Sequence, residues 1–136
     1  MKVLLVEDEL AQRMLLGDIL REKGWEVFEA EEGREGLEKL AAEKIDVIIS
    51  DVYMTGMDGL QFHGQVRADA RFKMIPFIFV SAFDDRHTRD AVENPAIDAF
   101  LRKGFPAETL TAWVEYLATP VERRGSLRHP GTRATS

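Results

Sequence analysis

Residues 2–8 read KVLLVED: a short apolar run of strand-forming residues that stops at two carboxylates, Glu7 and Asp8. The same construction recurs outward along the chain. DVIIS at 46–50 runs into Asp51, PFIFV at 76–80 into Ser81, and IDAFLR at 97–102 into Lys103. Short apolar runs rich in β-branched residues, separated by helical patterns, predict buried parallel strands. Parallel strands end on one side of their sheet, and open α/β sheets place their sites outside those carboxyl ends. Three carboxylates, one hydroxyl and one ammonium are therefore expected to converge at a single edge.

The alternation of strand and helix repeats five times. Strands are expected at 2–6, 25–30, 46–50, 76–80 and 99–102. A first helix is expected from about Leu10 to Lys23, with Leu10, Met14, Gly17 and Leu20 on its inner stripe and Gly24 as a stop. A second runs from about Arg34 to Glu43 with Leu37, Leu40 and Ala41 inward, and a third follows Asp58 with Leu60, Phe62 and Val66. The fourth begins near Asp84 or Asp85, either a suitable N-cap, and ends before Pro95. The last begins around Pro106 and carries Leu110, Trp113, Val114 and Leu117 at helical spacing. Repeated βα units imply a five-stranded parallel sheet, doubly wound, a (βα)5 flavodoxin-like three-layer sandwich. Residues 1–118 form one domain in this reading. Residues 119–136, with Pro120, Gly125, Pro130 and Gly131 and few apolar residues, read as a basic linker or flexible C-terminal tail.

Composition narrows the classes. The chain has 136 residues, 45% of them hydrophobic and 31% charged, which suits one globular domain. No apolar run approaches the ~20 residues of a membrane helix, and no signal-peptide core follows Met1. The absence of cysteine excludes disulfides and thiolate metal sites, in agreement with a cytoplasmic location. The net charge of −6 divides into −9 for residues 1–118 and +3 for the tail, so nucleic-acid binding is not expected from this chain. His63, His87 and His129 are spread along the chain and read as surface or partly packed residues. Trp25 and Trp113 read as core.

Clustered carboxylates repel one another unless a proton or a cation intervenes. Hard oxygen ligands select Mg²⁺, Mn²⁺ or Ca²⁺, and Mg²⁺ keeps waters and accepts phosphate oxygens. Asp51 is the candidate nucleophile, because a carboxylate can attack phosphorus and become an aspartyl phosphate. Phosphoryl transfer depends mainly on positioning and on cations that offset charge on the equatorial oxygens. Lys103 supplies one such cation and Ser81 a hydroxyl donor.

These residues resemble the receiver domain of two-component response regulators. The matching pieces are VED at 6–8, SDVYMTGMDGL at 50–60, SA at 81–82 and FLRKGF at 100–105, over about residues 1–118. The resemblance implies Glu7 and Asp8 as metal-binding acids and Asp51 as phosphoacceptor and metal ligand, with Mg²⁺ (or Mn²⁺) as cofactor. It implies that the Tyr53 backbone carbonyl completes the metal set. Ser81 and Phe100 would be the switch pair and Lys103 the phosphate-contacting lysine. Tyr53 and Phe83 occupy positions that influence phosphate lifetime, and the bulky pair is expected to hinder attacking water. The implied partners are a sensor histidine kinase or phosphotransfer protein, and a downstream effector or self-dimer. The partner face would be the fourth helix, fifth strand and fifth helix. The implied role is a signalling domain that assists its own phosphorylation and dephosphorylation, not a turnover enzyme.

The chain departs from the family pattern at three places. Thr55 and Gly104 stand where proline is usual, and Asn94–Pro95–Ala96 replaces the usual Gly-Ala. A trans Lys103–Gly104 bond, with Lys103 directed at Asp51, is expected. Two alternatives remain: a degenerate receiver that binds partners without phosphorylation, and a metal-dependent aspartyl-phosphate phosphatase. The second is disfavoured because Tyr53 stands where the acid/base aspartate of D-x-D-x-T would be. A dinucleotide-binding domain is excluded because the first turn, VEDELAQ, lacks G-x-G-x-x-G.

Overall fold

A computed structural model describes residues 1–83, 86–125 and 127–131. The elements are β1 (Lys2–Val6), α1 (Leu10–Glu22), β2 (Glu26–Ala30), α2 (Gly33–Ala42), β3 (Val47–Asp51), α3 (Gly59–Ala68), β4 (Phe77–Ser81), α4 (Arg86–Asp90), β5 (Asp98–Arg102) and α5 (Ala107–Ala118). The strands form one parallel sheet in the order β2-β1-β3-β4-β5. Alternate strand residues point to opposite faces, and the core divides accordingly. Val3, Leu5, Val47, Ile49, Ile78 and Val80 pack under α1 and α5, through Leu16, Leu20, Leu110, Val114 and Leu117. Leu4, Val6, Ile48, Phe77 and Phe79 pack under α2 and α3, through Leu40, Phe62 and Val66. Each fully buried side chain of this kind contributes about 1.5–3 kcal/mol. The doubly wound three-layer architecture is the expected one.

Strand ends differ from expectation by a residue in a way that matters. Asp51 and Ser81 are the last residues of β3 and β4, not the first residues past them. Asp51 pairs with Val80 and Ser81 with Arg102. Their side chains are thus held by the ladder itself.

The inner stripe of α1 is rotated from the one expected. The buried residues are Arg13, Leu16, Gly17 and Leu20, whereas Leu10 and Met14 are 60% and 56% exposed. Apolar spacing alone admits both registers. An inward arginine decides between them, because Arg13 donates to the Glu7 carbonyl (2.7 Å) and to Glu29 (3.1 Å). On α2 the buried set is Gly33, Gly36 and Leu40, and Ala41 is exposed. Glycines bring that helix close to Phe62 and Val6, a contact that counting apolar side chains does not register. Helix α3 opens on the capping box of Asp58 and Gln61. Helix α4 ends before Pro95 as expected, while its proposed caps, Asp84 and Asp85, lie outside the described residues.

Beyond α5 the chain makes specific contacts. A 3-10 turn at Val121–Arg123 brings Arg124 back over the helix end, where it donates to the carbonyls of Thr119 (2.7 Å) and Leu117 (3.0 Å). Its guanidinium lies 4.8 Å from the Tyr116 ring centroid, and His129 packs against Trp113 and Tyr116. Trp25 and Trp113 are partly buried against the core. His63 is buried, deeper than the surface or partly packed position expected for it. The side chain of His87 and residues 132–136 lie outside the described set.

Candidate functional site

The carboxyl ends of β1, β3, β4 and β5 meet at a cleft of about 200 Å³ lined by Asp8, Asp51, Tyr53, Ser81, Phe83 and Lys103. Glu7 lies fully buried at its base. Lys103 Nζ donates to Asp51 Oδ2 at 2.6 Å and to Glu7 Oε1 at 3.0 Å, so one ammonium bridges two strand-end acids. The opposite oxygen of Asp51, Oδ1, accepts from the backbone N–H groups of Val52 (2.6 Å) and Tyr53 (3.3 Å). Asp51 is therefore held at both oxygens. Asp8, on the exposed rim, accepts from the Thr55 N–H at 3.2 Å.

Two glycines make this arrangement possible. A Cβ on Gly59 would stand 2.0 Å from the Asp51 carbonyl oxygen, so only glycine lets α3 begin this close to the acceptor strand. Gly104 has φ +103°, a conformation proline cannot adopt and other L-residues adopt only with strain. The Lys103–Gly104 bond is trans, and Lys103 points at Asp51 as expected.

The electrostatics follow from burial. Burial pushes the Glu7 carboxyl up to about 8, with a further push from Asp51 and an opposing pull from Lys103. Burial alone would lower the Lys103 ammonium, but its bonds to Asp51 and Glu7 outweigh that and raise it. Glu7 Oε2 is buried and has no hydrogen-bond partner among the described residues. One oxygen from each of Glu7, Asp8 and Asp51 lies within 4.8 Å of the others. The oxygen donor set, the orphaned Glu7 oxygen and this spacing all fit a hard divalent cation.

Ser81 is fully buried at the head of β4, and its Oγ accepts from the Phe83 N–H at 3.1 Å. Phe100 pairs with Phe79 in the ladder and is half-buried against the core beneath α3. Tyr53 and Phe83 are 45% and 62% exposed and meet edge to face, with centroids 5.7 Å apart, at the cleft mouth. All of the residues expected at the strand ends are thus brought together.

Several supporting residues were not anticipated. Arg13 grips the Glu7 carbonyl, and Glu32 accepts from the Met57 N–H at 2.9 Å, tying the loop after Asp51 to α2. Beneath Phe100, Asp98 Oδ1 lies 3.0 Å from His63 Nε2 and also pairs with Arg67. Burial pushes the Asp98 carboxyl upward, but the bonds from His63 and Arg67 overcome this and hold it below the usual range. The available signal was an acid at the start of an apolar strand, which needs a buried partner.

Residues 3–115 match the family described as response regulator receiver domain. The chain is 30% identical to chemotaxis protein CheY of Pseudomonas aeruginosa over 116 residues, covering 85% of this chain and 94% of that protein. Its fold superposes on CheY4 of Vibrio cholerae with a TM-score of 0.78 at 32% identity, covering 85% of this chain and 97% of that one. It also superposes on the response regulator TrrA of Thermotoga maritima, solved in complex with Mg(2+)-BeF, with a TM-score of 0.74 at 33% identity over 85% and 97% of the two chains. The sheet order, the strand-end acids and these similarities agree, and the chain belongs to the response regulator receiver domain family of two-component signalling.

Proposed function

We propose that this receiver accepts a phosphoryl group on Asp51 from a phosphohistidine of a sensor kinase or phosphotransfer protein. Mg²⁺ (or Mn²⁺) would be held by Glu7, Asp8, Asp51 and the Tyr53 carbonyl, where it would offset charge on the phosphoryl oxygens. The Mg(2+)-BeF complex of TrrA supports that assignment. The observation that carries the reading is the Lys103 ammonium bridging Asp51 and Glu7 at the head of an open cleft.

An Asp51 oxygen bonds to phosphorus as the P–N bond breaks, and the departing histidine nitrogen keeps the electron pair. Lys103 then faces the added charge; a unit pair at 4 Å and effective dielectric 20 is worth roughly 4 kcal/mol before desolvation. The Ser81 O–H donates to a phosphoryl oxygen. Its movement vacates space beside β5 into which Phe100 turns, changing the face of α4, β5 and α5 that a downstream effector or second copy meets. This is a local charge change biasing a two-state element. Tyr53 and Phe83, touching across the mouth, hinder the water that would hydrolyse the acyl phosphate.

Phosphorylation with acetyl phosphate tests the reading. One stoichiometric label is expected with Mg²⁺, and none in EDTA or in Asp51→Asn. Turnover of the donor without stable label would indicate a phosphatase, and no label at all a phosphorylation-independent binding module.

A further inference from the structure

We propose that the backbone N–H of Thr55 is a positioning group for Asp8, and through Asp8 for the cation. The inference rests on the Mg²⁺ reading above and adds a residue to it. Glu7 is fixed by burial and by Lys103, and Asp51 by bonds to both of its oxygens. Asp8 is different. It is exposed at the rim, so packing does not select its rotamer. The bond that holds it comes from the other side of the cleft: the Thr55 amide donates to Oδ2 at 3.2 Å, across 47 positions of sequence. One Asp8 oxygen lies within 4.8 Å of oxygens from Glu7 and Asp51.

The donor is itself held in place. On the far side of Thr55, the Met57 N–H donates to Glu32 Oε2 (2.9 Å) and the Met57 carbonyl accepts from the Gly33 N–H (3.0 Å). The Gly59 N–H closes the loop onto the Val52 carbonyl (2.8 Å). The loop after the acceptor thus presents one amide to one metal-ligating acid, and the outer partner of a ligand commonly governs its orientation. Every residue except proline supplies this donor. The side chain at 55 is therefore incidental, and the amide is what acts on Asp8 in this chain, a contact that the proline usual at this position in the family cannot make.

Two measurements on the full chain decide the matter. In ¹⁵N spectra recorded in EDTA, Asp8→Ala should move the Thr55 amide proton upfield and speed its solvent exchange at least about tenfold; an unmoved, equally protected amide overturns the proposal. In calorimetric titrations with Mg²⁺ alone, Thr55→Pro should weaken binding about tenfold, whereas Thr55→Ser, which restores the donor, should stay within about twofold of wild type. Equal affinity of Thr55→Pro and wild type, or equal losses in both variants, also overturns it. Should Thr55→Pro fail to fold, the amide measurement still decides. A wild-type chain that binds no Mg²⁺ refutes the underlying metal reading, an outcome distinct from the variant results.

Discussion

In the metal-free protein Glu7 is expected to carry a proton at neutral pH, and Glu7→Gln tests this directly. The side chain is fully buried, and Oε2 lacks a partner among the described residues. Burial first, then Asp51, raises its carboxyl from 4.5 to about 8 against the pull of Lys103. A folded-state value above the unfolded one fixes the sign. The stability linked to Glu7 is complete below about pH 4.5 and is lost as pH rises through about 8. One proton of difference corresponds to about 1.4 kcal/mol per pH unit. With partial relaxation at the cleft mouth, about 1–2 kcal/mol is expected across pH 5.5–7.5. Glutamine has the same shape, does not titrate, and still accepts from Lys103. Urea unfolding in EDTA at pH 5.5, 6.5 and 7.5 should show Glu7→Gln gaining that amount on wild type as pH rises. Saturating Mg²⁺ should cancel the gain, since a cation displaces the proton. Parallel stability curves for the two proteins in EDTA would refute the reasoning.

Tyr53→Asn and Phe83→Glu should each shorten the phosphorylated lifetime by about threefold to tenfold, or about 0.6–1.4 kcal/mol in barrier; unchanged dephosphorylation in both removes the shielding role. Gly59→Ala should cost at least about 2 kcal/mol in thermal unfolding and impair labelling of Asp51, because its Cβ meets the Asp51 carbonyl at 2.0 Å. Asp98→Ala strands Arg67 and His63 in the interior and should cost about 3–5 kcal/mol. Because that carboxyl is held low, the contribution of Asp98 is present above about pH 4 and lost as pH falls further, so acid titration of wild type against the variant should converge. Ending the chain after Ala118 removes the two Arg124 bonds to the α5 terminus and should lower stability by about 1–3 kcal/mol in urea unfolding; an unchanged midpoint would show those contacts to be idle.

The strands were legible because burial on both faces leaves continuous apolar runs, and the site was legible because polar residues interrupt those runs at one end. Asp51 and Ser81 could be placed from the sequence to within one residue. What escaped depended on partners distant in the chain. The register of α1 turned on Arg13, whose inward position is stabilised by the Glu7 carbonyl and by Glu29 on β2. His63 reads from the sequence as surface or partly packed, because a lone histidine in a helical pattern carries no trace of its buried pairing with Asp98 on β5. Glycine packing on α2 escaped for the opposite reason: a residue without a side chain contributes closeness of approach, which hydrophobic periodicity does not count.

The placement of Lys103 shows how backbone register can carry chemistry. Glycine stands after this lysine where proline is usual in the family, so the ammonium is aimed by something other than a proline turn. The answer lies in the ladder. Ser81 pairs with Arg102, and the Lys103 N–H donates to the Ser81 carbonyl at 2.8 Å, so the lysine is still anchored to β4 as β5 ends. The chain then turns away at Gly104 with φ +103°, leaving the side chain to run back toward β3 and β1. There it finds Asp51 at 2.6 Å and Glu7 at 3.0 Å. The same backbone bond couples Lys103 to Ser81, so the cation and the hydroxyl assigned to the phosphoryl group share one rigid frame. A substitution at Gly104 should therefore act through strain in the turn, and disturb the Lys103–Asp51 contact only as far as it loosens that frame.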